Sequence, residues 1–249
     1  MGRYFVEVAY KGTHYSGFQV QENAGSIQAE VEKALSTLHR RPFQLTGSSR
    51  TDAGVHALQN FFHYDDPLPP HDQVLYKVNA ILPRDIVVKN ILAVNESSHS
   101  RFHAVSREYH YHIYSKKNPF LDDRAYFFPY PLDMDRLQAA AALLKTHRNF
   151  QSFSKRNTQV KTFQCELFES EWIQGNDTLL YRVKGSRFLR GMVRGLVGTM
   201  LQVGRGKIGL EELNEIILSL DCTKADFSTP AHGLFLMAVA YPEGFFKNP

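Results

Sequence analysis

A pattern that occurs twice most narrows the folds open to this chain: an alternating strand followed by a capped amphipathic helix. Residues 3–10 (RYFVEVAY) are rich in β-branched and aromatic side chains and read as a strand. Ser26 then caps a helix with Ile27, Val31, Ala34, Leu35 and Leu38 on one face. Residues 107–115 start the pattern again, with Tyr109, Tyr111 and Ile113 on one strand face and His110, His112 and Tyr114 on the other. Asp133 caps a second helix that carries Leu137, Ala140, Ala141 and Leu144. Two halves, 1–104 and 105–249, are therefore expected to be related by internal duplication.

Further strands are expected at 57–64 and 85–94, separated by the Pro67, Pro69, Pro70 segment, and at 162–173 and 179–184, joined by the turn 174–177. Phe188, Leu189, Met192, Val193, Leu196, Val197, Met200 and Leu201 form the clearest helical stripe. A helix near 210–220 and a buried strand at 234–241 complete the order. Strands and helices do not alternate strictly, so the expected class is α+β with a mainly antiparallel sheet.

Composition restricts function. With 43 % hydrophobic and 22 % charged residues, whole-chain disorder is excluded. No uncharged apolar run approaches the ~18 residues of a membrane span. The start MGRYFVEVAY shows no signal-peptide pattern, and Val6 stands where a myristoylation site needs Ser or Thr. Cys165 and Cys222 are too few for a disulfide framework, so the cytosol is the expected compartment. The net charge of +4 is mild but unevenly spread. Residues 136–165 hold six Lys or Arg and no carboxylate; residues 178–210 hold seven (Arg182, Lys184, Arg187, Arg190, Arg194, Arg205, Lys207) and again none. Such stretches attract polyanions, nucleic acid above all, although a solvated basic face gives the same pattern.

The segment 47–57 (GSSRTDAGVHA) sets a single Asp52 among small residues, with Arg50 two places before it. Such a loop lets a large substrate approach the backbone and leaves the carboxylate accessible. An Asx turn, with Asp52 merely bonding a nearby amide, fits the same residues.

GSSRTDAGVHALQN closely resembles the G-R-T-D-A-G-V-H-A signature of the tRNA pseudouridine synthase A family. Five more motifs follow that family's order: VEVAYKGTHYSGFQVQENAGSIQAEVEKAL, VNAILPRDIVV, SRFHAVSREYHYHIY, GSRFLRGMVRGLVGTMLQVGRGK and TPAHGLFLMAVAYP. The chain departs from it at Ser48 and Ser49 (usually Ala or Gly), at Phe18 (often Trp) and at His232 (commonly acidic).

The resemblance implies the pseudouridine synthase fold, two related halves around a central cleft. It implies an isomerase that converts uridine to pseudouridine at positions 38, 39 and 40 of the tRNA anticodon stem-loop, with neither metal nor nucleotide cofactor. It implies a homodimer with tRNA as partner and no membrane association. The family's nucleophilic aspartate falls on Asp52. Moving uracil from N1 to C5 attachment breaks and remakes a glycosidic bond, and a carboxylate can bond covalently or stabilise charge at the sugar while the base turns. The active-site tyrosine falls on Tyr109, expected to stack on the extracted uracil and assist proton transfer at C5. Arg194 matches the M-V-R arginine, expected to pair with Asp52 and orient it. Arg50 matches the arginine that helps extract the base. Arg187 and Arg190, at i, i+3, i+7 spacing with Arg194, are expected to reach phosphates, and Lys155 and Arg156 are further candidates.

Other chemistries find less support. A carboxylate-dependent hydrolase needs a second carboxylate, and the loop supplies only Asp52. A non-catalytic RNA-binding protein would not need Asp52, Tyr109 and Arg194 together. Neither His110 with His112 nor His99 with His103 completes a metal-ligand set, and His56 reads as a packing or loop-bonding residue. Gly191, Gly195 and Gly198 invite close packing rather than a nucleotide fingerprint.

Overall fold

A computed structural model describes residues 1–22, 24–156 and 160–246. The secondary structure comprises β1 (Gly2–Tyr10), α1 (Ile27–His39), β2 (Thr46–Gly47), β3 (His56–Asp66), α2 (Val74–Ile81), β4 (Ile86–Val94), β5 (Ser106–Tyr114), β6 (Tyr126–Phe127), α3 (Met134–Lys145), β7 (Leu167–Gln174), β8 (Thr178–Gly185), α4 (Met192–Gly204), α5 (Leu210–Leu218) and β9 (Leu234–Ala240). This is the expected α+β class. All described strand pairs with a resolved register are antiparallel except β5 with β6. Contacts divide the chain into one unit of Met1–Val105 with Leu236–Pro249 and a second of Ser106–Phe235.

In the first unit the strands run β4-β1-β3, with β9 hydrogen-bonded beside β3. β1 is buried over five consecutive residues because both of its faces are covered. On one face Phe62 stacks on Phe18 at 4.3 Å, and α1 brings Ile27, Val31, Ala34 and Leu35 to the core. On the other, Phe5 and Phe61 meet Tyr241 and Phe246 at 5.3–6.0 Å. The expected caps hold: the Ser26 side chain accepts from the Ala29 amide, and Asp133 from the Arg136 amide at the start of α3.

In the second unit the order is β5-β8-β7. α3 buries Leu137, Ala140, Ala141 and Leu144, and Trp172 packs on Tyr181 at 5.0 Å. α4 is buried nearly all round. A Cβ on Gly195 or Gly198 would strike Phe227 or the Asp226 carbonyl, so these glycines admit the 226–227 segment.

Three expectations need correction. α2 occupies part of the connection between 64 and 85, where the sequence predicts only a Pro-rich segment. Residues 162–166 are not strand, because the Cys165 amide bonds the Arg148 carbonyl and Gln164 bridges Asn149. α4 starts at Met192, not before Phe188, since Gly191 at φ 73° turns the chain into the left-handed region just ahead of it.

Candidate active site

The Asp52 loop is fixed by the strands beneath it. The register of β1 on β3 slips between Val8 and Tyr10, a bulge of the kind that re-aims side chains near functional sites. There the Tyr10 hydroxyl shares a hydrogen bond with Thr51 Oγ1 at 2.8 Å and accepts one from Asn60 Nδ2 at 3.1 Å. Asn60, fully buried, also donates to the Ser49 carbonyl at 2.8 Å and accepts from the Ser49 amide at 3.2 Å. Both backbone groups of the residue before Arg50 are thus held by one side chain. The Ser49 hydroxyl itself is buried with no hydrogen-bond partner among the described residues.

The other end of the loop is fixed as well. The Val55 amide donates to the Asp52 carbonyl at 3.2 Å, closing a turn through Gly54 at φ 78°. His56 Nδ1 accepts from the Gly12 amide at 3.1 Å, the loop-bonding role expected of it. A Cβ on Gly12 would collide with the Val55 carbonyl, so only glycine allows this approach. Asp52 is half-buried at the crest of this loop, with its neighbours Thr51 and Val55 buried. Arg50 is exposed and lines a groove of about 310 Å³ together with Phe18, Gln19, Gly47, Arg101 and Phe102.

In the second unit the β5 alternation places Tyr109, Tyr111 and Ile113 on the buried face, as expected. Tyr109 is 8 % exposed, and its ring stands edge-on to Phe188 with centroids 5.1 Å apart. Behind it, the Tyr111 hydroxyl donates to the Pro230 carbonyl at 2.8 Å, and burial raises that phenol's pKa while the Arg194 charge acts the other way. Arg194, in the first turn of α4, is half-buried and clamped to one residue. Its Nε donates to the Thr229 carbonyl at 2.7 Å, and Thr229 Oγ1 donates back to the Arg194 carbonyl at 2.9 Å. The guanidinium is therefore held in one orientation.

Arg187 and Arg190 do not share a helix face with Arg194, because both precede α4. Arg187 is half-buried and its charge acts on Cys165, whose thiol burial pushes up to about 11. Arg190 is exposed, and its carbonyl accepts from the Lys155 amide at 3.0 Å. The Lys155 side chain runs alongside Gly191, so Lys155 and Arg190 are neighbours, and Arg156 beside them is exposed.

Among the described residues no group of three or more His, Cys, Asp or Glu is placed to hold a metal ion, and no helix is long and apolar enough to cross a membrane. His110 pairs with Glu108 at 2.9 Å, and His103 Nδ1 accepts from the His99 amide at 2.8 Å. Asn60, Tyr10, Gly12 and Thr229 went unassigned at the sequence level. The one available signal was the amide pair Gln59-Asn60 at the head of an aromatic run.

A family model described as tRNA pseudouridine synthase matches residues 7–103 and 140–242. The chain is 43 % identical to the tRNA pseudouridine synthase A of Porphyromonas gingivalis, over 99 % of this chain and all of that one. It is 41 % identical to that of Parabacteroides distasonis (99 % of this chain, 98 % of the other). Identity to that of Staphylococcus aureus strain MRSA252 is 36 %, covering 97 % and 92 %.

Proposed function

The chain belongs to the tRNA pseudouridine synthase family, and from that premise we propose that it isomerises uridine to pseudouridine at positions 38, 39 and 40 of the tRNA anticodon stem-loop. The observation that carries the reading is the Asp52 loop. Asn60 holds the Ser49 backbone, the Phe18 amide the Thr51 carbonyl, Tyr10 the Thr51 hydroxyl and the 52–55 turn the Val55 amide, while Asp52 stays half-exposed. A fixed carboxylate in an accessible loop is what this isomerisation asks for.

The reaction breaks the N1–C1′ bond of uridine and forms a C5–C1′ bond; C5 gives up its proton and N1 gains one. Asp52 acts as the nucleophile, carrying the bond or the charge while the base turns. Tyr109 offers a rigid ring on which uracil stacks and takes part in the proton movement at C5. Arg194, held by Thr229, is the cationic partner that orients Asp52. Arg50 helps hold the base out of its stack, and Arg187 and Arg190 neutralise phosphates. No metal or nucleotide cofactor enters this scheme. The enzyme works as a homodimer in the cytosol.

Stem-loop RNAs carrying a single uridine at position 38, 39 or 40 test the proposal. Incubation with the protein should place pseudouridine at each of the three, mapped by carbodiimide-dependent primer extension. Modification elsewhere only, or none, would refute it.

A further inference from the structure

Phe102 lies in the segment 95–103 and is 75 % exposed, yet that segment is firmly held. The Arg3 guanidinium donates to the Ser98 carbonyl at 2.7 Å. The Ser100 hydroxyl bonds both the Thr46 carbonyl and His63, and the Tyr241 hydroxyl donates to the Ser100 carbonyl. Phe102 is thus a ring presented to solvent from a fixed backbone, where a ligand can reach it.

Its surroundings say which kind. The His99 ring backs Phe102 at 4.3 Å between centroids, and the Arg101 guanidinium lies over the Phe102 ring, 5.8 Å from its centroid and beyond close contact. Phe102, Arg101 and Arg50 line the same groove, to which no carboxylate contributes. Its volume of about 310 Å³ is at the small end of ligand sites. An aromatic platform with two guanidinium groups fits an unstacked base with its phosphate.

We propose that this groove seats one unpaired nucleotide of the RNA substrate, its base stacked on Phe102 and its phosphate on Arg101, which turns from the ring to meet it, while Arg50 at the other end of the groove stays with the target base. This rests on the proposed function and adds a second contact to it. Arg50 is two residues from Asp52, a reach of at most ~7 Å along the chain. The seated nucleotide is therefore a near neighbour of the target uridine, not the target.

The test uses stem-loop RNAs with 2-aminopurine at each position flanking the target, and the variants Phe102→Ala, Phe102→Leu and Phe102→Tyr. With wild type and Phe102→Tyr, fluorescence at one flanking position should be quenched on binding; with the Ala and Leu variants it should not. KM should rise about 10- to 100-fold for Phe102→Ala with kcat within twofold, and Phe102→Tyr should restore it. Arg101→Gln should lower the salt slope of binding by about one. Unchanged KM and unchanged quenching in Phe102→Ala would overturn the proposal. Wild type that quenches and binds but makes no pseudouridine would instead overturn the functional reading and leave the nucleotide seat standing.

Discussion

Replacing Asn60 by Ala should damage the reaction without touching any residue assigned to the chemistry. Asn60 is fully buried and holds both the amide and the carbonyl of Ser49. Ala leaves these two buried groups unpaired, at about 1–3 kcal/mol each. The Tyr10 hydroxyl loses one partner but keeps Thr51. The expected destabilisation is about 2–5 kcal/mol, a fall in Tm of roughly 5–15 °C for a chain of this size. The loop also loses its anchor, and a displacement of ~1 Å at a reacting group costs about 10²-fold. kcat measured well below the lowered Tm should therefore fall by about that factor. Asn79→Ala is the control. Asn79 makes the same paired contacts to the Val88 backbone, at 2.8 Å each, on β4, two strands across from Asn60, and bonds no residue of the 47–57 loop in those contacts. It should lose stability and keep kcat. Asn60→Ala with wild-type kcat and a Tm within 2 °C of wild type would refute the reasoning.

Three further outcomes are expected. Burial holds the His63 imidazole down at about 4, and its Nδ1 accepts from the Ser100 amide, so the folded state refuses a proton that the unfolded chain takes up near 6.5. The His63 contribution to stability should fall as pH drops from 6.5 towards 4 and level off below; urea titrations at pH 7 and 4.5 should show wild type losing about 2–3 kcal/mol more than His63→Asn. Gly12→Ala should push the Val55 carbonyl, costing about 1–3 kcal/mol by thermal melts and lowering kcat, because the strain falls on the 52–55 turn. Arg187→Gln and Arg190→Gln should each weaken all tRNAs about equally and lower the filter-binding salt slope by about one, whereas a solvated basic face would leave the slope unchanged.

Local patterns made much of the fold legible. The Ser26 and Asp133 caps and the burial of Tyr109, Tyr111 and Ile113 follow from residue chemistry and strand alternation. α2 escaped because only Val74 and Val78 on it are buried, too few to show a helical period beside three prolines. The expected arginine stripe failed because one glycine in the left-handed region delays α4. Asn60 acquires its role only from the β1–β3 register and its bulge, which no local pattern encodes. Phe102 carries no signal in the sequence, because the exposure of an apolar side chain is a tertiary fact. Asp52, Tyr109 and Arg194 were named through resemblance; composition and spacing alone left Asp52 open to an Asx turn.

Tritium release from tRNA labelled at C5 of uridine tests the central claim most directly, because only a reaction that replaces the C5–H bond frees the label. The wild-type protein should release tritium in proportion to pseudouridine formed. Asp52→Asn, which keeps the shape and loses the nucleophile, should release it at least about 10³-fold more slowly, while binding tRNA with nearly unchanged affinity, since phosphate contacts supply most of it. Tritium release by Asp52→Asn at the wild-type rate, or none from the wild type, would contradict the assignment.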